Sequence, residues 1–326
     1  MLISVVIPLF NKADAILSAV QSVQSQTWTD WELIVVDDGS TDGGAHLVAA
    51  LSDSRISLVS QANAGVSVAR NTGLLRARGD WVALLDADDY WREDHLARLA
   101  ELALRYPDAA MLGSSYGFVA EAGAWRRVPI RDEYLKAQSG FVEVTDFFDD
   151  AVSLEHLPMT ASSVMLPREW ALKLGGFPAG VTAGEDQLVW AKMACAGLVA
   201  LSVEPTSVYV EPAVSAATRQ AVVRRPQLPD VVGTELQLLL KTCRQPKSIR
   251  LFVADWYRIR AVSWMELNER WLCLTDVGRA VNHSQITLKD VICLLALLMP
   301  KGLRSRLLAA RRERIRREAA LVGAGQ

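Results

Sequence analysis

Cysteine is scarce in this chain. Cys195, Cys243, Cys273 and Cys293 are the only four in 326 residues, scattered without a close pair in the sequence and without a histidine partner. That pattern suggests neither a zinc site nor a disulfide framework, and it fits a reducing compartment. Histidine is as sparse: His46, His95, His156 and His283 have no metal-ligand spacing and are expected to be surface or packed residues. Long apolar runs are also missing, because the longest, "VICLLALLM", falls well short of the ~18 residues of a spanning helix. The N-terminus enters strand-like sequence at once, with no charged leader and no cleavage site. A cytoplasmic protein without a secretion signal or membrane span is the expectation. Net charge is small too, at −2, but it conceals an asymmetry. Between Lys301 and Glu318 eight Lys or Arg stand against two Glu, so that segment carries +6 and residues 1–300 about −8.

What is present is a hydrophobic content of 51 %, ample for a core in a chain of 35.8 kDa. "ISVVIPLF" reads as a strand, Ala13 to Gln26 as a helix, "WELIVVDD" as a second strand and Thr41 to Leu51 as a second helix. "RISLVS", a helical Gly65 to Arg78, "DWVALLDADD" and a helix from about Asp94 to Arg105 repeat the alternation. Apolar runs without strict alternation, separated by helices, imply a mainly parallel sheet covered on both faces. The fold class expected is therefore α/β, a doubly wound sheet. After about residue 220 the character changes. "RRPQLPD" reads as a linker or strand end, and Thr234 to Cys243, Ser248 to Trp271 and Leu288 to Leu298 read as helices. This predicts two regions, 1–220 and a mostly helical 221–326. Trp256, Trp264 and Trp271 form an aromatic stripe that belongs to a helical core or lines a groove.

Doubly wound sheets bind ligands beyond the carboxyl ends of their strands. Three polar clusters fall there: Pro8 to Asn11 after the first strand, Asp37 and Asp38 after the second, and Asp86, Asp88 and Asp89 after the fourth. Each alone is an ordinary turn composition; their convergence on one sheet edge points to a site. Three neighbouring carboxylates repel one another unless a cation or a set of donors sits among them.

The stretches "SVVIPLFNKADAILSAVQSVQSQTWTDWELIVVDDGSTD", "NAGVSVARNTGLLRARGDWVALLDADDYW" and "GGFPAGVTAGEDQLVWAKMA" together resemble glycosyltransferase family 2, inverting nucleotide-sugar transferases of the A-type fold, over roughly residues 1–215. The resemblance implies transfer of a sugar from a UDP-sugar or dTDP-sugar to a hydroxyl of a glycan or lipid-linked glycan, in surface polysaccharide synthesis. It implies Asp88 as direct ligand of Mn2+ or Mg2+, with Asp86 on the ribose or beside the metal. Chemically, a divalent cation held by two carboxylates neutralises a diphosphate. The resemblance further assigns Asp38 to the ring N–H of uracil or thymine and Pro8 and Phe10 to framing the base, with core packing as the alternative for Phe10. Arg70 falls near the nucleotide, or else is an ion-pair partner of Asp38. Asp89 is read as part of the turn that follows.

An inverting transferase needs one general base at the acceptor hydroxyl. In "GEDQ" successive helical side chains point ~100° apart, so Glu185 and Asp186 cannot both face it. The resemblance selects Asp186, and a helix N-terminus is expected to favour its ionised form. Where members of the family often carry a histidine, this chain has Glu211, a candidate metal ligand. Two other classes compete: a non-catalytic relative that binds a nucleotide sugar or glycan, and a phosphatase with an aspartate nucleophile, suggested by "LLDADDY". Partners expected are the donor, the acceptor and, through Val291 to Met299 and the basic tail, an anionic membrane surface at the inner face of the cell membrane; no nucleic acid is expected.

Overall fold

The computed structural model describes residues 1–119, 125–154, 156–210 and 223–300. The N-terminal part runs β1 (Ile3–Leu9), α1 (Ile16–Gln24), β2 (Trp31–Asp37), α2 (Gly44–Ala49), β3 (Ile56–Ser60), α3 (Val66–Arg76), β4 (Trp81–Leu84), β5 (Tyr90–Trp91) and α4 (His95–Arg105). Next come β6 (Met111–Val119), β7 (Trp125–Arg127), α5 (Asp132–Leu135), β8 (Phe141–Glu143), α6 (Phe147–Ser153), β9 (Val164–Pro167), α7 (Arg168–Lys173), α8 (Glu185–Ala196) and β10 (Val199–Val210). Four helices follow: α9 (Val231–Leu239), α10 (Ser248–Glu266), α11 (Arg270–His283) and α12 (Leu288–Leu298).

The mixed α/β fold is built on one sheet of order β3-β2-β1-β4-β9-β6-β10-β5. β1 lies parallel to both β2 and β4, β2 to β3, and β6 to β10, while β9 and β5 run antiparallel to their neighbours. The apolar runs lack a polar face because both faces are covered. Val6, Ile34, Val36, Val82 and Leu84 enter one core, and Val5, Ile7, Leu33, Val35 and Ala83 enter the other. The chain winds from β1 outward to β3 and then returns to place β4 on the other side of β1. This reversal opens a crevice at the carboxyl ends of β1, β2 and β4.

Three elements differ from the sequence expectation. The helix read over Thr234 to Cys243 starts and ends earlier, at Val231–Leu239, because Asp230 caps it by accepting the N–H of Gly233. The helix read over Thr41 to Leu51 begins only at Gly44, because Asp42 accepts hydrogen bonds from the backbone N–H groups of Ala13 and Gly44 and holds the loop instead. The helix read from Ser248 to Trp271 is two helices, broken at Asn268, whose φ of 65° is left-handed. The carboxyl end of α9 and the first part of α10 share the core on one face of the sheet, through Leu236, Ile249, Phe252 and Trp256. Beyond them Ala261, Trp264, Cys273, Val277 and Leu297 enclose a smaller core between α10, α11 and α12. Of the tryptophan stripe, Trp256 and Trp264 are buried and Trp271 is exposed. Cys195 and Cys243, distant in the sequence, are buried free thiols that interact with each other between α8 and the segment after α9. Among the described residues no helix is long and apolar enough to cross a membrane. The 220/221 boundary, Glu211 and the basic segment after Pro300 lie outside the described residues.

Candidate active site

The loops after β1 and β2 are tied to each other. Asn11, with a φ of 51°, accepts the backbone N–H of Thr41 at 2.8 Å, and its own N–H donates to Ser40 Oγ. Asp37 accepts the N–H of Ser40 at 2.9 Å and so shapes the same loop. Asp38 is buried and organises a third loop: Oδ1 accepts from Gln61 Nε2 at 2.8 Å and Ala64 N at 2.9 Å, and Oδ2 from Gly65 N at 2.8 Å. Those donors lead directly into α3, so one carboxylate sets where that helix starts.

From α3, Arg70 reaches across the crevice. It is 4 % exposed, and its guanidinium pairs with Asp86 at 2.8 Å and with Glu185 at 3.2 Å. Burial opposes its charge, but Asp86 and Glu185 outweigh burial and its pKa is raised. Asp38 is not its partner. The next residue, Asn71, accepts the N–H of Phe177 at 2.8 Å and donates to its carbonyl at 2.7 Å. Two adjacent residues thus clamp the "GGF" turn and the start of α8 to α3. Gly176 is required at this contact: its φ is 62° and a Cβ there would lie 2.5 Å from Asn71 Oδ1.

The three carboxylates after β4 have three different compensations. Asp86 has Arg70. Asp88 pairs with Lys12 Nζ at 2.6 Å, on the half-exposed side of the loop, and this hydrogen bond raises the Lys12 pKa. Asp89 is buried, accepting from Ser162 Oγ and from Val210 N at 3.1 Å; burial, followed by the charge of Asp86, pushes its pKa up to about 7. Ser162 also accepts the N–H of Asp86 at 3.1 Å. Asp89 therefore braces the loop against β10 and the turn before β9.

Pro8, Phe10, Lys12, Asp38, Arg70, Asp86 and Asp88 line one cavity of about 580 Å³, together with Asn63, Gly65, Thr182 and Arg224. Of the expected site residues that are described, the structure thus brings together all but Asp186, which stands one ion pair away; Glu211 lies outside the described residues. Phe10 is exposed at the rim. Asp186 occupies the second position of α8, half-buried, with Oδ1 accepting from Gln187 N at 2.7 Å. Burial, then the charge of Glu185, raise its pKa to about 6, against the opposing pull of Arg70 and the Gln187 N–H. The helix N-terminus therefore does not dominate as expected, although the group remains largely ionised at neutral pH. Gly184 before it has a φ of 80°, and a Cβ there would meet the Trp256 ring at 2.5 Å. Gln187, Trp256 and Ile259 border two further cavities, of about 240 and 380 Å³, the second reaching Tyr116, His156, Asp255 and Lys289.

Lys12, Ser162 and Arg224 escaped the sequence reading. Lys12 was legible in principle, two residues past Phe10 in "PLFNK"; Ser162 carries no local signal, and Arg224 sat in what read as a linker. Arg224 donates to the carbonyl of Thr182 at 2.8 Å and so borders the cavity from the far side. Of the four histidines, His95 is fully buried, stacked on Trp91 with ring centroids 4.3 Å apart; burial lowers its pKa to about 3 and keeps it neutral.

Among the described residues no three His, Cys, Asp or Glu side chains cluster as a metal cage. The donor set present, Asp88 with Asp86 two residues away on one loop facing an open cavity, fits a hard cation that takes most of its ligands from phosphate and water. It does not fit a preformed all-protein site.

Residues 4–155 match the model of glycosyl transferase family 2. TuaG of Bacillus subtilis (strain 168), a glycosyltransferase named for teichuronic acid biosynthesis, is 35 % identical over 171 residues, 52 % of this chain and 63 % of TuaG. WfgD of Escherichia coli, named as a UDP-Glc:alpha-D-GlcNAc-diphosphoundecaprenol beta-1,3-glucosyltransferase, is 38 % identical over 114 residues, 35 % of this chain and 45 % of WfgD. The matched region spans less than two thirds of either relative. Among solved structures, S. aureus TarS 1-349 in complex with UDP-GlcNAc superposes with a TM-score of 0.68 at 16 % identity, over 96 % of this chain and 92 % of that one, which shows the fold. Residues 4–155, just under half of the chain, are thus similar to glycosyl transferase family 2.

Proposed function

We propose that this protein is a metal-dependent inverting hexosyltransferase that moves a sugar from a UDP-sugar or dTDP-sugar to a hydroxyl of a glycan or lipid-linked glycan, in the synthesis of a surface polysaccharide. The observation that carries this reading is the convergence of Pro8, Phe10, Asp38, Arg70, Asp86 and Asp88 on one cavity of about 580 Å³, joined to the start of α8 by the Arg70–Glu185 pair. Pro8 and the Phe10 ring frame the base. Each carboxylate oxygen has two acceptor sites, so Asp38 Oδ2, which among the described residues takes the Gly65 N–H alone, has one left for the ring N–H of uracil or thymine. Asp86, fixed by Arg70, faces the ribose side. Asp88 is the residue that would hold Mn2+ or Mg2+, with Asp86 beside it and Glu211 as a further candidate. Such a cation supplies neutralisation of the donor diphosphate.

Asp186 then acts as general base. It takes the proton of the acceptor hydroxyl while that oxygen bonds to the anomeric carbon and the bond from that carbon to the diphosphate breaks, so that the nucleoside diphosphate leaves with its electron pair. Residues 1–220 form the nucleotide-sugar and catalytic region. Residues 221–326 form a second region, whose described helices α9 to α12 supply Trp256 and Ile259 to the cavities beside Gln187, where the acceptor lies. Names of the relatives support this assignment: one is named for teichuronic acid biosynthesis, and the other for transfer from a UDP-sugar to a diphosphoundecaprenol-linked acceptor. A lipid-linked acceptor would place the chain at the cytoplasmic face of a membrane. Nucleoside diphosphate release, measured against a panel of nucleotide sugars with and without Mn2+, tests the reading. Release from UDP-sugars or dTDP-sugars, abolished by chelation, is the expected result. Tight UDP binding with no release from any donor would favour a non-catalytic binding relative, and metal-dependent phosphate release that ignores the nucleotide would favour a phosphatase.

A further inference from the structure

We infer that α12 is a membrane-surface helix whose outward face lies in the interface of an anionic phospholipid bilayer. Its orientation on the protein is fixed. Asp290 is buried, paired with Arg258 at 3.0 Å, and closes a capping box with Thr287. On that inward side Cys293, Ala296 and Leu297 pack into the core between α10 and α11. The other side is apolar as well. Leu288, Val291, Ile292, Leu294, Leu295 and Leu298 are all exposed, Leu288 at 75 % and Leu298 at 82 %. At 100° per residue these six side chains fall within one arc of about 160°, opposite the packed residues. A helix that is apolar all round is ordinarily buried all round; here the described residues cover only one face of α12.

Charge selects the occupant. The segment that follows α12, from Lys301 to Glu318, carries eight Lys or Arg against two Glu, whereas residues 1–300 are net acidic. An apolar face continued by a basic segment is complementary to anionic headgroups over an apolar interior. A second copy docked on the same face would bring two segments of like charge together. The location agrees with the acceptor reading. Lys289, the second residue of α12, borders the cavity that also touches Gln187 and Trp256, so the start of α12 lies beside the proposed acceptor cavity. In that respect the inference extends the proposal of a lipid-linked acceptor and rests on it.

Co-sedimentation of the full chain with vesicles tests the helix directly, using phosphatidylcholine mixed with phosphatidylglycerol, and phosphatidylcholine alone, at low salt. The full chain should pellet with the anionic vesicles, and Leu295→Glu/Leu298→Glu should reduce that partition roughly tenfold or more. Both positions are solvent-facing, so circular dichroism and melting should match the unaltered chain; Leu295→Ser/Leu298→Ser, which adds no charge, should give an intermediate loss. Nucleoside diphosphate release in the absence of vesicles should be the same for all three. Loss of vesicle binding and loss of donor turnover are thus separate failures, the first bearing on α12 and the second on the transferase reading. Vesicle binding undiminished by either substitution would overturn the inference, as would failure of the full chain to pellet. A dimer in light scattering that Leu295→Glu/Leu298→Glu renders monomeric, with no vesicle binding by the full chain, would assign the face to a second copy instead.

Discussion

Asp186→Asn separates chemistry from stability in a single substitution. Asn keeps the shape of the side chain and its acceptor oxygen for the Gln187 N–H, and it removes only the ability to take a proton. If Asp186 is the general base, transfer falls by roughly 10²–10⁴, while UDP affinity stays close to that of the unaltered protein because Asp38, Arg70 and Asp88 are untouched. The pH profile carries a second signature. With burial and Glu185 raising the Asp186 pKa to about 6, transfer in the unaltered enzyme should climb through that pH and level off above it. The residual rate of the variant should lack that step.

Stability should move in the opposite direction. The Asp186 pKa is near 3.8 in the unfolded chain and about 6 in the folded one. Below the unfolded value both states hold the proton and nothing is lost. As pH rises from there through about 6, the unfolded chain releases its proton while the folded one resists, so folding becomes progressively less favourable, and above that the cost is constant. Two units correspond to about 3 kcal/mol at most, and partial exposure reduces this to about 1–2 kcal/mol. Asp186→Asn should therefore melt roughly 2–5 °C higher than the unaltered protein near pH 8, and at the same temperature near pH 3. Glu185→Gln, which loosens the Arg70 pair, serves as the control and should not gain stability. Differential scanning calorimetry at the two pH values, with product formation at pH 8, decides the matter. Near-complete transfer by Asp186→Asn, or a lower melting temperature near pH 8, refutes the reasoning.

Four shorter predictions concern the donor cavity. Asp88→Ala should abolish metal-dependent UDP binding in calorimetry; equal affinity with and without Mn2+ in both proteins would remove the metal assignment. Lys12→Met should strengthen Mn2+ binding in the absence of nucleotide by a few-fold, since the half-exposed Lys12–Asp88 pair contributes only about 0–1 kcal/mol, and weaker binding would refute the competition. Asp38→Ala should weaken UDP binding and its discrimination against CDP, and should also lower the melting temperature, because the N–H groups of Ala64 and Gly65 lose their acceptor; unchanged discrimination would mean that Asp38 does not read the base. Arg70→Met should destabilise by about 3 kcal/mol, as loss of one partner from a buried pair does, with thermal melting as the readout and an unchanged melting temperature as the contrary outcome.

Much of this architecture is legible in the sequence, and the reason is physical. The runs at Ile3–Leu9 and Trp31–Asp37 are apolar at every step because two cores flank the sheet, and that pattern has few alternatives. Once the strands are recognised, topology sends Pro8, Asp38 and Asp86 to the same edge. Long-range side-chain pairing is different. Arg70 meets Glu185 across 115 positions and Asp89 meets Ser162 across 73, and neither contact leaves a periodic trace. The region from Gly113 to Pro158 held no readable motif for the same reason. Its short strands and helices are pinned by Arg131 pairing with Asp149 and Asp150, and by the Tyr134 hydroxyl donating to Asp150 at 2.7 Å, a cluster assembled only by folding. The break at Asn268 leaves no sequence signal because helical periodicity continues across it.

The carboxylate cluster after β4 shows how local composition and long-range partners divide the work. Like charges so close are tolerable only when each is compensated, and the three compensations differ in how easily they are exchanged. Arg70 is buried between Asp86 and Glu185, and displacing it would leave partly buried charges unpaired, so that pair is costly to break. Asp89 resolves its own charge by burial, taking hydrogen bonds from Ser162 and Val210, and has no reason to leave. Only Asp88, whose partner is a half-exposed lysine on a flexible stem, can trade one cation for another at little cost. The sequence Asp-x-Asp-Asp thus folds into one replaceable position between two fixed ones. An incoming cation and diphosphate would require that asymmetry: a carboxylate available to bind, on a loop whose other carboxylates hold it still. Lys12, displaced from Asp88, would remain at the wall of the same cavity as a positive charge for the diphosphate to meet.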